Sequence, residues 1–198
     1  MTTGALRVAP IPDKARAAAL PEVARLRIGV FRDWPYLYDG DPGYEARYLA
    51  PYAASAGAII VGAWAGERMV GASTGAPLED HAEAFGAPFR AGGWALEDFY
   101  YCAESVLLPD WRGHGAGRAF FAAREAKARA MGRAKTCFCA VIRPEDHPAR
   151  PAGYRPLDGF WRAIGYQPVE GLVARLGWKD IGDAEETEKE LQFWMRTL

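Results

Sequence analysis

The chain has 198 residues, enough for one domain with a full hydrophobic core. Half of the residues are hydrophobic and 13% are aromatic, which excludes a disordered chain. The formal net charge is −1, without long runs of one sign, so the composition excludes a strong field for nucleic acid or an anionic membrane. Residues 1–20 lack a signal-peptide core and no segment reaches ~18 apolar residues, so we expect a soluble protein without a membrane partner.

The first half of the chain predicts one strand, two helices and a hairpin. The first helix is expected to begin at Pro21, because proline suits the first helical turn and an acidic residue follows it. A loop rich in aromatic and acidic residues separates the two helices. The predicted strands are 6–8, 58–64 and 68–74, and the predicted helices are 21–31 and 44–54.

The second half of the chain alternates between strands and helices. Residues 78–92 predict a short irregular helix, and a long alanine-rich helix is expected to end at Gly132. The remaining predictions are strands over 99–108, 136–142, 172–178 and 191–195 and a helix over 156–164. Together the elements predict one α/β domain over residues 1–198, with a mixed central sheet and helices on both faces.

A dense glycine turn follows the strand 99–108 and leads directly into the alanine-rich helix. Such a turn directs free backbone N–H groups and the positive end of the helix dipole at one point, which favours an anion. The turn reads Arg112-Gly113-His114-Gly115-Ala116-Gly117. It lacks the Gly-Lys-Ser/Thr of a phosphate loop, and Arg118 stands where the dinucleotide fingerprint needs its third glycine.

Two motifs in this order resemble the GNAT family of N-acetyltransferases. The first is Leu107-Leu108-Pro109-Asp110-Trp111-Arg112-Gly113-His114-Gly115-Ala116-Gly117, and the second is Phe160-Trp161-Arg162-Ala163-Ile164-Gly165-Tyr166. The resemblance covers about residues 58–166. It implies a GNAT-like fold in which the parallel strands 99–108 and 136–142 splay apart to receive the pantetheine arm of acetyl-CoA.

The resemblance also implies a set of cofactor-binding residues. The turn and the residue after it would hold the pyrophosphate, and strand amides just before the turn would pair with the pantetheine and the acyl carbonyl. These residues are Val106, Leu107, Leu108, Arg112, Gly113, His114, Gly115, Ala116, Gly117 and Arg118. The alternative is a plain strand–helix turn with ordinary ladder pairing.

Transfer of an acyl group from a thioester to an amine needs a base, oxyanion donors and a leaving thiolate. Glu104 is the preferred base, because alternation places it on the face of Cys102 and Val106, away from open solvent. An ion-paired or solvent-facing Glu104 is the alternative. Trp161 replaces the tyrosine that serves the family as general acid, so Tyr154 becomes the candidate acid, with a packing role as its alternative.

The loop between the first two helices lies where the resemblance places the acceptor pocket. Trp34, Tyr36 and Tyr38 offer faces for cation–π contacts, and Asp39 adds negative charge. The predicted acceptor is therefore a small cationic amine. A solvated acidic loop capped by core aromatics is the alternative.

These observations predict an N-acetyltransferase that moves an acetyl group from acetyl-CoA to a primary amine by direct attack in a ternary complex. A non-catalytic acyl-CoA sensor on the same fold is the main alternative, and a nucleotide-phosphate enzyme is a third. We expect no nucleic-acid partner, no metal, and a monomer or homodimer. The three cysteines have no framework spacing, which predicts reduced, buried thiols in a cytoplasmic protein.

Overall fold

The computed structural model describes residues 5–198. Residues 1–4, which belong to the N-terminal segment in which no signal peptide is expected, lie outside the described residues. Its strands form one seven-stranded mixed sheet in the order β1-β2-β3-β4-β5-β7-β6. The pair β4–β5 is parallel and the other neighbours are antiparallel. The strands are β1 (Leu6–Pro10), β2 (Ile59–Ala65), β3 (Arg68–Pro77), β4 (Phe99–Leu107), β5 (Lys135–Val141), β6 (Gln167–Trp178) and β7 (Thr187–Thr197).

Helices cover both faces of the sheet, which confirms the predicted fold class. Those that pack on one face are α1 (Arg16–Phe31), α2 (Pro42–Ala54) and α3 (Ala82–Ala91), and those on the other are α4 (Ala116–Ala130) and α5 (Asp158–Ala163). Alternate residues of the central strands supply the two cores. Within residues 5–198, no helix is both long enough and apolar enough to cross a bilayer.

The starts of α1 and α5 differ from the sequence prediction. The first helix begins at Arg16 rather than Pro21, because residues 13–15 already form a 3-10 turn and Arg16 donates to the Ser55 carbonyl at 2.9 Å. Pro21 lies inside α1, where its missing N–H leaves one helical bond unmade. Near the C-terminus Pro156 stays outside α5, whose first bond runs from Trp161 N–H to the Leu157 carbonyl at 2.9 Å.

The last two strands extend well beyond their apolar predicted segments. Charged residues continue the pairing, as where Arg175 of β6 donates to Glu190 of β7 at 2.9 Å. Charged side chains alternate along this hairpin and face water. The apolar residues of the sequence therefore predicted only the buried part of the two strands.

The parallel strands β4 and β5 separate after a short paired segment. Their register runs only from Phe99 opposite Lys135 to Tyr101 opposite Cys137. Both strands continue beyond these pairs, to Leu107 and Val141. The result is a split in the centre of the sheet that opens toward the glycine turn.

Candidate active site

The glycine turn lies at the open end of the split, on the surface. Residues 112–115 are exposed, and Gly113 and Gly115 have φ values of 81° and 86°. These are left-handed conformations that glycine adopts without the strain of a Cβ. Gly115 is the residue from which α4 begins, so the first free amides of the helix point out of the protein beside the turn.

Several side chains support the shape of this turn. The Nε of Arg112 donates to the Leu107 carbonyl at 3.3 Å, and His114 Nδ1 lies 2.9 Å from the Arg112 carbonyl. The ring of Phe160 in α5 lies 3.3 Å from where a Cβ on Gly117 would stand, so a larger residue there would require the ring to shift by a few tenths of an ångström. Arg118 is exposed in the first helical turn, where a cation opposes the helix dipole unless an anion is bound.

The backbone of β4 presents free amides to the split. Leu108 N–H donates to the Val70 carbonyl of β3 at 2.9 Å. Alternation along an antiparallel ladder therefore directs the Val106 amide to β3 and the amides of Ser105 and Leu107 toward the split. Of Val106, Leu107 and Leu108, only Leu107 directs its N–H into the split, and Ser105, which the sequence prediction did not name, does the same.

A β-bulge interrupts this ladder beside the split. The register passes from Ser73 opposite Ser105 to Gly75 opposite Cys102, so β4 holds one more residue than β3. Such an extra residue reverses which face the following side chains occupy. Glu104 consequently faces α1 and α2 with Val106, whereas Cys102 faces α4, and the prediction that Glu104 and Cys102 share a face is wrong.

The Glu104 side chain is buried, and each of its two oxygens accepts a hydrogen bond. Its relative exposure is 5%, and its two oxygens accept from the Thr74 hydroxyl and from Arg27 Nη1, each at 2.7 Å. The Tyr48 hydroxyl lies 3.4 Å from the second oxygen. The ion-paired alternative for Glu104 therefore describes its state in this structure.

Arg27 is shared between Glu104 and a second buried carboxylate, Glu45. Burial disfavours the charge of the guanidinium, but the neighbouring Glu104 and Glu45 carboxylates outweigh it and raise the pKa of Arg27. The guanidinium also lies 4.2 Å from the centre of the Tyr48 ring. The cluster thus holds two carboxylates and one cation on the α1–α2 side of the split.

A small cavity of about 100 Å³ opens beside this cluster. Its floor includes Glu104, Arg27 and Cys139, and its walls are mostly aromatic, with Tyr36, Tyr38, Tyr44, Tyr48, Tyr101 and Trp178. The loop between α1 and α2 reaches the cavity because Trp178 Nε1 and Arg143 both donate to the Tyr36 carbonyl, at 3.0 and 2.8 Å. Tyr36 and Tyr38, two of the four residues predicted to contact an acceptor, therefore line this cavity.

The other two acceptor candidates, Trp34 and Asp39, are not among the residues lining the cavity. The Trp34 ring packs against His147 at 5.0 Å and Tyr154 at 6.0 Å between ring centres. The Asp39 carboxylate pairs with Lys179 at 3.0 Å and with Arg32 at 3.7 Å. The charge of Asp39 is therefore compensated by its own neighbours.

Tyr154, the candidate acid, lies in the loop before α5, against Trp34 and below the Arg150 guanidinium at 5.8 Å. Burial and the Asp158 carboxylate raise its pKa above the usual value, against the opposing Arg150. The residue does not line the cavity that holds Glu104, so its contacts correspond to the packing alternative.

Cys139 is the one cysteine that lines this cavity. Burial raises the pKa of its thiol to about 12, even though the Tyr101 hydroxyl lies 3.3 Å away. The thiol therefore stays protonated near neutral pH. Among residues 5–198, no group of three His, Cys, Asp or Glu side chains could hold a metal ion.

The seven-stranded mixed sheet, its parallel β4–β5 pair and the flanking helices match the fold of GNAT-type acetyltransferases of known structure. The ribosomal-protein-alanine N-acetyltransferase of Brucella melitensis superposes with a TM-score of 0.62 at 15% identity, over 97% of this chain and 99% of that one. The acetyltransferase candidate yncA of Salmonella typhimurium, solved with acetyl-CoA, gives a TM-score of 0.60 at 12% identity over 98% and 95%. A GCN5-related N-acetyltransferase of Kribbella flavida gives 0.59 at 16% identity over 98% of each chain.

At these identities the likeness establishes the fold. No family sequence model matches the chain. No curated protein matches it by sequence either.

Proposed function

We propose that this protein is an acetyl-CoA-dependent N-acetyltransferase acting on a small primary amine. The observation that carries the proposal is the exposed glycine turn at the mouth of the split between β4 and β5. The turn offers amides and a helix N-terminus for a diphosphate, and the split offers unpaired strand amides for the amide-rich pantetheine arm. Structural neighbours that hold coenzyme A or acetyl-CoA support the same cofactor here.

The geometry supports a direct transfer. The acetyl carbonyl would accept from the Ser105 and Leu107 amides, which stabilise the oxyanion formed when the amine attacks. A C–N bond forms and the C–S bond then breaks. Glu104 takes the proton from the attacking nitrogen, directly or through one water. The departing thiolate needs little acid assistance, because a thiol pKa of ~8.5 makes it a good leaving group.

The state of the cysteines favours this route over an acetylated-cysteine intermediate. A nucleophilic cysteine needs a lowered pKa. Burial instead raises the pKa of Cys139 and of Cys102, and the Cys102 thiol lies 4.0 Å from the Tyr166 hydroxyl on the far side of the sheet. The amine is therefore the group that attacks the thioester.

The cavity supports a small acceptor with a cationic group. Its volume of about 100 Å³ accommodates only a few heavy atoms, and the faces of Tyr36, Tyr38 and Tyr48 are suited to cation–π contacts. Because Asp39 is already paired, the aromatic rings rather than the acidic loop would recognise the cation.

The test is an acetyl-transfer assay on the purified protein. Acetyl-CoA is supplied with a panel of cationic, neutral and anionic primary amines, and free thiol and acetylated product are measured by a thiol reagent and mass spectrometry. We expect turnover with small cationic amines. Turnover confined to anionic amines would exclude the acceptor class, and failure to bind coenzyme A would exclude the function.

One observation favours a second candidate, an acyl-CoA sensor. Trp161 stands where the family resemblance places a tyrosine acid, and its ring packs between Phe138 and Trp194, each 5.0 Å away between ring centres. Tight acetyl-CoA binding without thiol release across the whole amine panel would favour the sensor.

A further inference from the structure

Arg124 of α4 is fully buried and hydrogen-bonds to the β-bulge from the face of the sheet opposite the Glu104 side chain. Its Nη1 donates to the Thr74 carbonyl at 3.2 Å and to the Glu104 carbonyl at 3.0 Å, and its Nη2 donates to the Ser105 hydroxyl at 2.9 Å. Its relative exposure is 0%. One side chain therefore joins both strands that border the bulge.

Arg124 also lacks a carboxylate partner among the described residues. The neighbouring Glu125 pairs instead with Arg129 and Arg196. A buried charge is costly unless it is paired or hydrogen-bonded, and here backbone carbonyls are the main compensation. At the bulge the guanidinium therefore donates to two peptide carbonyls and to the Ser105 hydroxyl.

The contact with the Glu104 carbonyl bears on the reaction centre. The carbonyl of Glu104 and the N–H of Ser105 belong to one peptide group, whose two ends point in opposite directions. A cation bonded to the carbonyl therefore faces away from the split, while the N–H faces into it. Hydrogen bonding at one end of a peptide group polarises the other end and strengthens its hydrogen bond, by about 10–30% per bond.

We propose that Arg124 is a positioning residue that strengthens the Ser105 amide as an oxyanion donor and fixes the bulge that carries Glu104. This inference rests on the proposed acetyl transfer. It assigns to Arg124 a role in the rate of the chemical step and none in holding the diphosphate, which the turn at the start of α4 performs.

The experiment compares Arg124→Met with Arg124→Lys, and uses Arg129→Met as the control because Arg129 is half exposed on the same helix. We expect Arg124→Met to lower kcat about 10- to 100-fold, somewhat less than the loss of a direct oxyanion donor. Coenzyme A affinity, measured by calorimetry, stays within threefold of wild type. Arg124→Lys restores at least half of the decrease in log kcat that Arg124→Met causes. Arg129→Met leaves kcat within twofold of wild type.

A spectroscopic readout separates polarisation from a general structural role. In ¹H–¹⁵N spectra of the protein without substrate, the Ser105 amide proton moves upfield in Arg124→Met and returns toward wild type in Arg124→Lys. A folded Arg124→Met with kcat within threefold of wild type overturns the proposal. An unmoved Ser105 resonance together with a Lys variant no better than Met assigns Arg124 a packing role only, which also overturns it.

Two further outcomes keep the test decisive. If Arg124→Met fails to fold, Arg124→Lys is compared with Arg124→Gln, because both can donate to a carbonyl and only lysine is charged. We then expect at least fivefold higher kcat for the lysine variant, and equal rates overturn the proposal. If wild type shows no turnover, the proposed function fails, whereas the Ser105 resonance still reports whether Arg124 polarises its peptide.

Discussion

Replacement of Gly115 by alanine isolates the contribution of the glycine turn. Gly115 has φ 86° and ψ −7°, and nothing lies within 4 Å of where the new Cβ would stand. The substitution therefore lowers the free energy of unfolding through backbone strain alone, by about 1–2 kcal/mol for an alanine held in the left-handed region. For a chain of this size about 1 kcal/mol lowers Tm by roughly 2–4 °C, so we expect Tm to fall by about 2–8 °C.

The larger effect of Gly115→Ala should be on cofactor affinity. The turn can relieve the strain only by moving φ to a negative value, which rotates the amides at the start of α4 away from the anion. We expect the Kd for coenzyme A to rise at least tenfold, equivalent to about 1.4 kcal/mol. Calorimetry gives the Kd and differential scanning fluorimetry gives the Tm.

Gly132 supplies a matched control at the other end of α4. Its φ is 71° and its added Cβ would also meet nothing within 4 Å, so Gly132→Ala carries a comparable strain far from the split. We expect a similar loss of Tm and a coenzyme A affinity within twofold of wild type. If both variants bound coenzyme A equally well, the turn would not be the diphosphate site.

Three further predictions concern the site and its supports. Glu104→Gln should lower kcat about 100-fold or more, the scale of general-base catalysis, and a thiol-release rate above one tenth of wild type would contradict the assigned role. Cys139, with its thiol pKa raised to about 12, should react with iodoacetamide at pH 8 about 10³-fold more slowly than a free cysteine; peptide mass spectrometry measures this, and rapid labelling would contradict it. Burial raises the pKa of Asp180, but hydrogen bonds and charge from Arg143 and Lys189 outweigh burial and lower it. The Asp180 carboxylate therefore stabilises the fold above its unfolded pKa of ~3.9. This stabilisation is lost as the pH falls through the lower pKa of the folded state. The Tm difference between wild type and Asp180→Asn should therefore be largest near neutral pH and shrink below about pH 4, and a gap that did not change with pH would count against the ion pairs.

The strand, turn and helix from Phe99 to Ala130 could be predicted from the sequence because their signals are local. An apolar run, a glycine turn and an alanine-rich segment each act on their own residues. The separation of β4 from β5 came from the family resemblance and agrees with the structure. Helix starts were less predictable, since Pro21 is tolerated inside α1 and Pro156 precedes α5 without entering it.

The environment of Glu104 could not be predicted because it depends on pairing between distant segments. The bulge is defined by β3 as much as by β4, so strict alternation placed Glu104 on the wrong face. Its partner Arg27 lies 77 residues earlier in the chain and Thr74 lies 30 residues earlier. The spacing of Tyr44 and Tyr48, one turn apart on α2, is the one local signal that could have indicated an aromatic wall.

The glycine turn and Arg124 belong to the same helix, so the length of one rigid segment sets the separation between them. The eight helical steps of α4 from Ala116 to Arg124 span about 12 Å. A single inserted residue in this interval would lengthen it by about 1.5 Å and rotate the guanidinium by about 100° away from the sheet. Natural variation in this protein should therefore tolerate changes of side chain along these two turns far better than insertions or deletions.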